Sequence, residues 1–386
     1  MKKIKHRLNL LRRIILQHLA FPVIYRIGCL RRINPRFVLF ASEFSANMPD
    51  SLQPLHTRLL DEGYDCRFFG LLPGKTKRQQ YLHWIAFFFA LAQARTLFLD
   101  DYYFPAYACK PRKGTQIVQV WHACGAFKKW GRSTADLAWG SSQKKLKYLP
   151  IHNTYTHCLV SSPACIPHYA EAFGCDPAIV HPWGVPRTDI FFASDFCETA
   201  RAQILTMFPS IGSRRIVLYA PTFRGNNNKK VRHDAAVDFA ALRDALQEDC
   251  VLLYKPHPRV KKSIADDGAF LYDAKNIPIA TLLGAADLVI SDYSSLIFEY
   301  ALFGRPMLFY AYDLENYERV RSFYEPYLSF VPGDLVWSTD DIICGIRRNL
   351  FEGGFEASGV AAFAQKHMSA CDGGATSRVL SNLGLL

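Results

Sequence analysis

The sequence predicts an α/β protein of two domains, each an open parallel sheet with helices on both faces. Three observations carry that prediction. From residue 36 onward short apolar runs alternate with helical stretches, the order in which a parallel sheet is wound. The rhythm lapses at residues 190–213 and restarts at "RRIVLYAPTFRG". The 386 residues exceed one ordinary domain, and with half of them hydrophobic and 21% charged the chain can bury two cores. Expected boundaries are 1–35 for a separate N-terminal segment, 36–195 for a first α/β domain and 196–386 for a second.

The N-terminal segment reads as a basic amphipathic helix. Ile4, Leu8, Leu11, Ile15 and Leu19 share one helical face, with Lys2, Asn9 and Arg13 opposite. Ten Lys and Arg residues precede the first acidic residue, Glu43, and supply most of the formal net charge of +12. Such a helix suits the headgroup layer of an anionic membrane, and a helix packed on its own domain is the plainer alternative. Behind it, "RFVLFAS", "YDCRFFGLL", "RTLFLDD", "TQIVQVWH" and "THCLVSS" read as strands. "SLQPLHTRLLDEG", closed by Gly63, "YLHWIAFFFALAQA" and "PACIPHYAEAFG" read as helices. In the second half "RRIVLYAP", "CVLLYKPHP", "DLVISDYSS" and "RPMLFYAYD" are strands, with helices at "DFAALRDALQ", "IATLLGAA", "LIFEYALFG" and "DDIICGIRRNLFE". Ligands of open α/β sheets bind beyond the carboxyl ends of the strands, so a cleft between two such domains is the expected site.

Several function classes lack support. No apolar run reaches the roughly 18–20 residues that span a bilayer, and "WIAFFFALAQA" reads as a buried helix. The N-terminal apolar residues are interrupted by Arg12, Arg13, Gln17 and His18, unlike a cleavable signal. Eleven cysteines without a CxxC pair or a Cys/His cluster argue against a disulfide scaffold or zinc site and for a reduced, cytosolic setting. Beyond residue 36 the charge is nearly balanced, which does not suit nucleic-acid binding. There is no P-loop, no GxGxxG after the first strand and no GxSxG elbow. Asp100-Asp101 and Asp340-Asp341 read as turn and helix-start residues rather than metal ligands.

Four segments carry chemistry. "VQVWHACGAFKKWG" (Val118–Gly131) ends an apolar strand in His122, followed by a flexible Gly125 and by Lys128 and Lys129, which suits a general base beside an anion. "YKPHPRV" (Tyr254–Val260) stiffens the backbone on both sides of His257, with Lys255 and Arg259 placed to neutralise phosphate. "LYAPTFRG" (Leu218–Gly225) puts Thr222 and Arg224 at a strand end, where Arg224 can grip a diphosphate bidentately. "ISDYSSLIFE" places Ser294 and Ser295 at a helix start suited to phosphate, with Glu299 one turn on as an acceptor for polyol or ribose hydroxyls. "GVPRTD" (Gly184–Asp189) reads as a structural turn. His56, His152, His157, His168, His181, His233 and His367 read as structural.

Taken together and in this order, "WHACGAFKKWG", "GVPRTD", "YAPTFRG", "YKPHP" and "ISDYSSLIFEYALFGRPMLFYAYDLENY" resemble the CDP-glycerol glycerophosphotransferase family of teichoic acid synthesis, over residues 37–370. The resemblance implies a glycosyltransferase-B-type fold, with two Rossmann-like domains facing a cleft, the first for the acceptor and the second for a CDP-polyol donor. It implies His122 and His257 as catalytic residues and Ser294 and Ser295 as donor-phosphate ligands. The chain's size is more similar to the family's priming enzymes. Two departures stand out: Lys255 where many relatives have Arg, and WHACG where many have WHGTP. The expected activity is transfer of glycerol phosphate from CDP-glycerol to a hydroxyl of an undecaprenyl-diphosphate-linked saccharide, releasing CMP. The enzyme is then peripheral, on the anionic cytoplasmic face of the cell membrane. CDP-ribitol or another CDP-polyol as donor, and nucleotide-sugar glycosyl transfer on the same fold, are the alternatives. No cofactor is expected, and Mg²⁺ can arrive with the substrate diphosphate.

Overall fold

A computed structural model shows two six-stranded sheets and describes residues 2–137, 139–224, 237–257, 260, 264 and 266–386. The strands are β1 (Asn34–Ala41), β2 (Asp65–Phe69), β3 (Ala94–Leu99), β4 (Gln116–Gln119), β5 (His157–Leu159), β6 (Val180–His181), β7 (Arg215–Tyr219), β8 (Cys250–Tyr254), β9 (Leu271–Asp273), β10 (Leu288–Ser291), β11 (Met307–Tyr310) and β12 (Asp334–Val336). The sheet orders are β2-β1-β3-β4-β5-β6 and β12-β11-β10-β7-β8-β9, and every pairing is parallel. Both are doubly wound orders, the second Rossmann-like and the first flavodoxin-like with one added strand. The sequence explains the strands. β8 is buried along its whole length and β1 from Phe37 to Ala41, as continuous apolar runs covered on both faces must be. β2, at a sheet edge, turns Asp65 and Arg67 to solvent, which discourages pairing with another chain.

The chain forms two units, each described here by itself. The first takes residues up to 123, 130–189 and 370–386; the second takes 124–129 and 190–369. This division differs from the expected boundaries at four places, the first being that residues up to 35 are part of the first unit. The C-terminal residues Val379, Leu380, Leu383 and Leu385 enter the first unit's core beside Phe40, Phe98 and Val118. Asp189 caps the last helix (Ala375–Asn382), accepting from the backbone N–H groups of Ala375 at 3.0 Å and Thr376 at 2.7 Å. Gly184 has φ +88°, and a Cβ there would lie 2.2 Å from the Ala370 carbonyl oxygen. "GVPRTD" is thus the turn that holds the C-terminal segment. Residues 124–129 join the second unit, where Phe127 stacks on Phe330 at 5.1 Å and Lys129 donates its N–H to the Ser322 carbonyl at 2.7 Å. The junction itself moves to 189/190, and the lapse in rhythm contains a helix, Phe196–Met207, that buries only Ala200 and Ile204.

The N-terminal segment packs on the first unit through one side, as the plainer of its two readings has it. A helix (Lys2–Ile15), a π-helical turn (Leu16–Ala20) and a second helix (Phe21–Gly28) follow one another. One side packs on the first unit: Gln17 donates to the Pro150 carbonyl at 2.9 Å, and Phe21 lies against Trp84 and Phe88. Leu8, Leu11, Ile15, Leu19, Val23, Ile27 and Leu30 remain exposed. From Leu11 to Ile27 the four-residue spacing overshoots a regular helical turn by about 40° per step, and the wider π turn offsets part of that drift. Among the described residues no helix is long and apolar enough to cross a membrane.

Asp189→Ala removes the acceptor for two helix N–H groups and is expected to cost about 1–2 kcal/mol. Urea unfolding followed by intrinsic fluorescence would show the midpoint fall. An unchanged midpoint would mean that the last helix is held by its apolar face alone.

Candidate active site

In the first unit the chain leaves β4 through an uncommon turn. Trp121 has φ +63°, a left-handed conformation costly for a bulky residue and kept only where its surroundings compel it. Three contacts do so. Trp121 donates its N–H to Gln119 Oε1 at 3.0 Å, and its ring stacks on Trp130 at 4.1 Å and meets Phe173 edge-on. Gln119 is itself fixed, with Nε2 donating to the Tyr155 hydroxyl at 2.8 Å and the Asp101 carbonyl at 3.1 Å. Tyr155 in turn lies 2.7 Å from Nδ1 of His152, a buried ring whose pKa is pulled down to about 3 by burial and then by Arg132. His152 is therefore part of this scaffold, as the sequence suggested.

The turn carries His122 outward, its side chain 47% exposed. Its Nδ1 lies 3.3 Å from the Asp100 carbonyl and 3.2 Å from Asp101 Oδ2, two acceptors, so Nδ1 carries the proton and Nε2 is the basic nitrogen. Arg187 donates to the His122 carbonyl at 2.7 Å. The protein packed around the ring holds its pKa below the ordinary imidazole value, with Arg187 second, and the remaining solvent exposure keeps that shift partial. Asp100 is buried. Its Oδ2 accepts from the Ser42 hydroxyl at 3.3 Å, and Oδ1 has no hydrogen-bond partner among the described residues. Burial, assisted by Asp101, pushes its pKa up to about 6 against the opposing pull of Ser42 and His122. Asp100 and Asp101 lie in the bend after β3, as turn residues, and there Asp101 orients the histidine and Asp100 ties β3 to β1. Both roles were missed, as were Arg187 and Gln119. An acidic pair just past a strand's carboxyl end, at the point where strand order reverses, was the available signal.

In the second unit Thr222, Arg224, His257, Asp292, Ser294, Ser295 and Asp313 follow the carboxyl ends of β7, β8, β10 and β11, and hydrogen bonds join Thr222, Arg224, Asp292 and Asp313. Asp292, with 4% of its side chain exposed, accepts from the Thr222 N–H at 2.9 Å, the Thr222 hydroxyl at 3.0 Å and Arg224 Nη1 at 2.9 Å. Arg224 donates Nε and Nη2 to Asp313 at 2.7 and 3.0 Å. Its guanidinium lies over the rings of Tyr293, Tyr312 and Tyr317. Burial lowers its pKa, but Asp292 and Asp313 more than offset this and hold it well above the ordinary value. Arg224 thus bridges two carboxylates and braces the site, and Thr222 is joined to Asp292. Lys255 also has partners within the unit. Its Nζ donates to the carbonyls of Lys275 at 2.7 Å and Ile277 at 2.6 Å, and burial lowers its pKa.

Ser294 and Ser295 are half-buried at the start of the helix Leu296–Ala301, and the Ser295 side chain makes no cap bond to that helix. Glu299, inside the helix, is buried. His257 is half-buried, its ring 4.7 Å from that of Phe223. Lys128 belongs to this unit rather than to that of His122, donating to the Tyr317 hydroxyl at 3.2 Å. Arg259 and His233 lie outside the described residues. Among the described residues no group of three His, Cys, Asp or Glu side chains is placed to hold a metal ion.

A family model described as CDP-Glycerol:Poly(glycerophosphate) glycerophosphotransferase matches residues 23–384. The teichoic acid ribitol-phosphate primase of Bacillus spizizenii is 38% identical over 303 residues, 77% of this chain and 77% of its own. The ribitol-phosphate polymerase TarL of Staphylococcus aureus is 36% identical over 90% of this chain, which spans 62% of the polymerase. The glycerol-phosphate primase of Bacillus subtilis is 28% identical over 78% of this chain and 76% of its own. Among solved structures, the wall teichoic acid polymerase TagF is similar with a TM-score of 0.77 at 19% identity, over 99% of this chain and 97% of that one.

Two outcomes test the geometry. The folded-state pKa of Asp100, about 6, lies above the ordinary 3.8, so its favourable contribution is full below that lower value and is lost as pH rises through about 6. Asp100→Asn should then raise stability relative to the parent above pH 6, by on the order of 2–3 kcal/mol, with the gap closing toward pH 4. Denaturation curves at the two pH values decide it, and a pH-independent gap would refute the assignment. Arg224→Ala should destabilise the second unit by about 3–5 kcal/mol, because it strands the buried Asp292 and the half-buried Asp313. A loss below about 1 kcal/mol, the scale of an exposed pair, would show that the network is solvated.

Proposed function

The chain belongs to the CDP-glycerol:poly(glycerophosphate) glycerophosphotransferase family and is an enzyme of that teichoic acid phosphotransferase family, and from this we propose that it transfers a polyol phosphate from a CDP-polyol to a hydroxyl of a lipid-linked saccharide, releasing CMP. The observation that carries the reading is the set of His122: Nδ1–H fastened to Asp101 and the Asp100 carbonyl, Nε2 outward. The acceptor oxygen attacks the phosphorus that bears the polyol while Nε2 takes its proton. Asp101 then stabilises the imidazolium that forms. A depressed pKa keeps the ring neutral, hence basic, near pH 7. The CMP phosphate leaves with the bonding electron pair. His257, Ser294 and Ser295 are assigned to the donor diphosphate, on family resemblance and on their place at the strand ends of the second unit. Arg224 contributes by holding Asp292 and the turn that carries the serines.

Ribitol phosphate is the favoured polyol, since identity to the ribitol-phosphate primase is 38% against 28% to a glycerol-phosphate primase. Glycerol phosphate is the reading that the sequence motifs gave. A CDP-linked donor is also supported by the TagF structure soaked with CDPG. We assign the two doubly wound sheets to the glycosyltransferase-B type. The exposed apolar stripe, with basic residues on the same helices, supports peripheral attachment to an anionic membrane on its cytoplasmic face.

The test is CMP release from CDP-ribitol and CDP-glycerol, with and without an undecaprenyl-diphosphate-linked disaccharide, reading product mass together with CMP. Acceptor-dependent CMP, faster from CDP-ribitol, is expected. One added unit defines a primase and a ladder a polymerase, while silence with every CDP-polyol would sink the reading. His122→Ala should lower kcat by roughly 10²–10⁴-fold. Activity should fall with decreasing pH through a midpoint below 6.5, the ordinary imidazole value. Asp101→Asn should move that midpoint lower and reduce kcat, because the imidazolium loses its carboxylate. Parental turnover in the His122 variant would remove that residue from the chemistry.

A further inference from the structure

We propose that a pocket between the N-terminal helix and the helix Gln143–Tyr148 binds a polyprenyl diphosphate, the diphosphate on its basic wall and the first isoprene units on its apolar floor. The proposal rests on the reading above only for the lipid's role as acceptor; the pocket stands on its own geometry. It lies wholly within the first unit and has a volume of about 510 Å³, inside the roughly 300–1,000 Å³ typical of small-molecule sites. Leu10, Arg13 and Ile14 line it from one helix, and Lys144, Lys145 and Tyr148 from the other.

The lining decides the ligand class. Three basic residues and no acidic one line the space, so an anion of more than one charge is favoured over a cation. Leu10, Ile14 and the Tyr148 ring form an apolar surface next to that charge, which a free phosphate leaves unused. The floor is mostly branched aliphatic rather than a pair of aromatic plates, which fits an isoprenoid better than a nucleobase. A diphosphate joined directly to an isoprene chain supplies both halves within one short molecule.

The walls are held in place. The Arg13 guanidinium lies over the Phe104 ring at 4.5 Å, which fixes its direction. His18 Nε2 lies 2.8 Å from the Tyr148 carbonyl, and Gln17 donates to the Pro150 carbonyl, so the two segments are tied together just beyond the pocket. The same N-terminal helix also exposes Leu8, Leu11 and Ile15. With those side chains in a bilayer, the pocket stands within about 10 Å, one helix diameter, of the acyl boundary, where a lipid diphosphate is found.

The test is calorimetric titration of the full chain with farnesyl diphosphate, a soluble short polyprenyl diphosphate, without any CDP-polyol. Inorganic diphosphate and phosphatidylglycerol vesicles are the separate arms. Farnesyl diphosphate should bind, and inorganic diphosphate should bind roughly 10-fold or more weakly, having no apolar part to bury. The double substitution Lys144→Glu and Lys145→Glu, on exposed positions, should weaken farnesyl diphosphate roughly 10-fold or more at unchanged Tm. Ile14→Ser should erase the preference over inorganic diphosphate. Equal affinity for the two diphosphates, indifference to charge reversal, or affinity for phosphatidylglycerol vesicles alone would each overturn the proposal. Farnesyl diphosphate binding without CMP release from any donor would leave the pocket standing and remove the enzymatic reading.

Discussion

A buried aspartate at the point where strand order reverses governs how each sheet opens. In the first sheet β1 is flanked by β2 and β3, and Asp100, one residue past β3, takes the hydroxyl of Ser42, one residue past β1. In the second sheet β7 is flanked by β8 and β10, and Asp292, one residue past β10, takes the N–H and hydroxyl of Thr222 just past β7. Chains leaving adjacent strands at such a point diverge to opposite faces and expose backbone groups between them. A carboxylate that accepts from the neighbouring exit fills that gap and fixes both loops. Every candidate site residue of the second unit except Glu299 lies within a few residues of a strand end, and Asp292 is where those ends meet.

The two aspartates meet opposite electrostatic fates. Asp292 has Arg224 beside it, and Arg224 is shared with Asp313, so the buried charge is compensated and braced by three tyrosine rings. Asp100 has only a hydroxyl and a nearby histidine, and its pKa climbs. A compensated carboxylate makes a rigid platform, which suits a place for holding a charged donor. An uncompensated one beside His122 makes the local field sensitive to the histidine's own charge, because an imidazolium there favours the ionised carboxylate. Proton uptake by His122 and ionisation of Asp100 therefore support each other.

Much of this was legible in the residues. Apolar runs of strand length, separated by helical periods, gave two parallel sheets because burial on both faces leaves no other pattern. The placement of His122, His257 and the Ser294–Ser295 pair just past strand ends was readable because each follows an apolar run. What the sequence hid was tertiary. Arg224 looked free because its partner Asp313 is 89 residues away, and Lys255 because its partners are backbone carbonyls, which carry no side-chain signature. The exchange of residues 124–129 and 370–386 between units depends on where Phe127, Val379 and Leu380 find apolar surface, and hydrophobic periodicity does not say which core a residue will enter.

The strained turn at Trp121 shows why a bulky residue stands where glycine would be cheaper. A left-handed residue of this size costs on the order of 1–3 kcal/mol, and glycine would avoid that cost. Glycine would also remove the indole that stacks on Trp130 and lies tilted against the His122 ring at 4.5 Å. Those aromatic contacts, at about 0.5–1.5 kcal/mol each, together with the Gln119 hydrogen bond, are of the size needed to offset the strain. An extended Trp121 would continue β4 and send the next side chain toward the alternate face of a sheet covered on both sides. The reversal instead brings His122 Nδ1 back over the end of β3, where Asp100 and Asp101 wait, and leaves Nε2 outside. The position of the basic nitrogen is thus set by one backbone torsion, and that torsion is held by the Gln119 amide and the aromatic rings around Trp121.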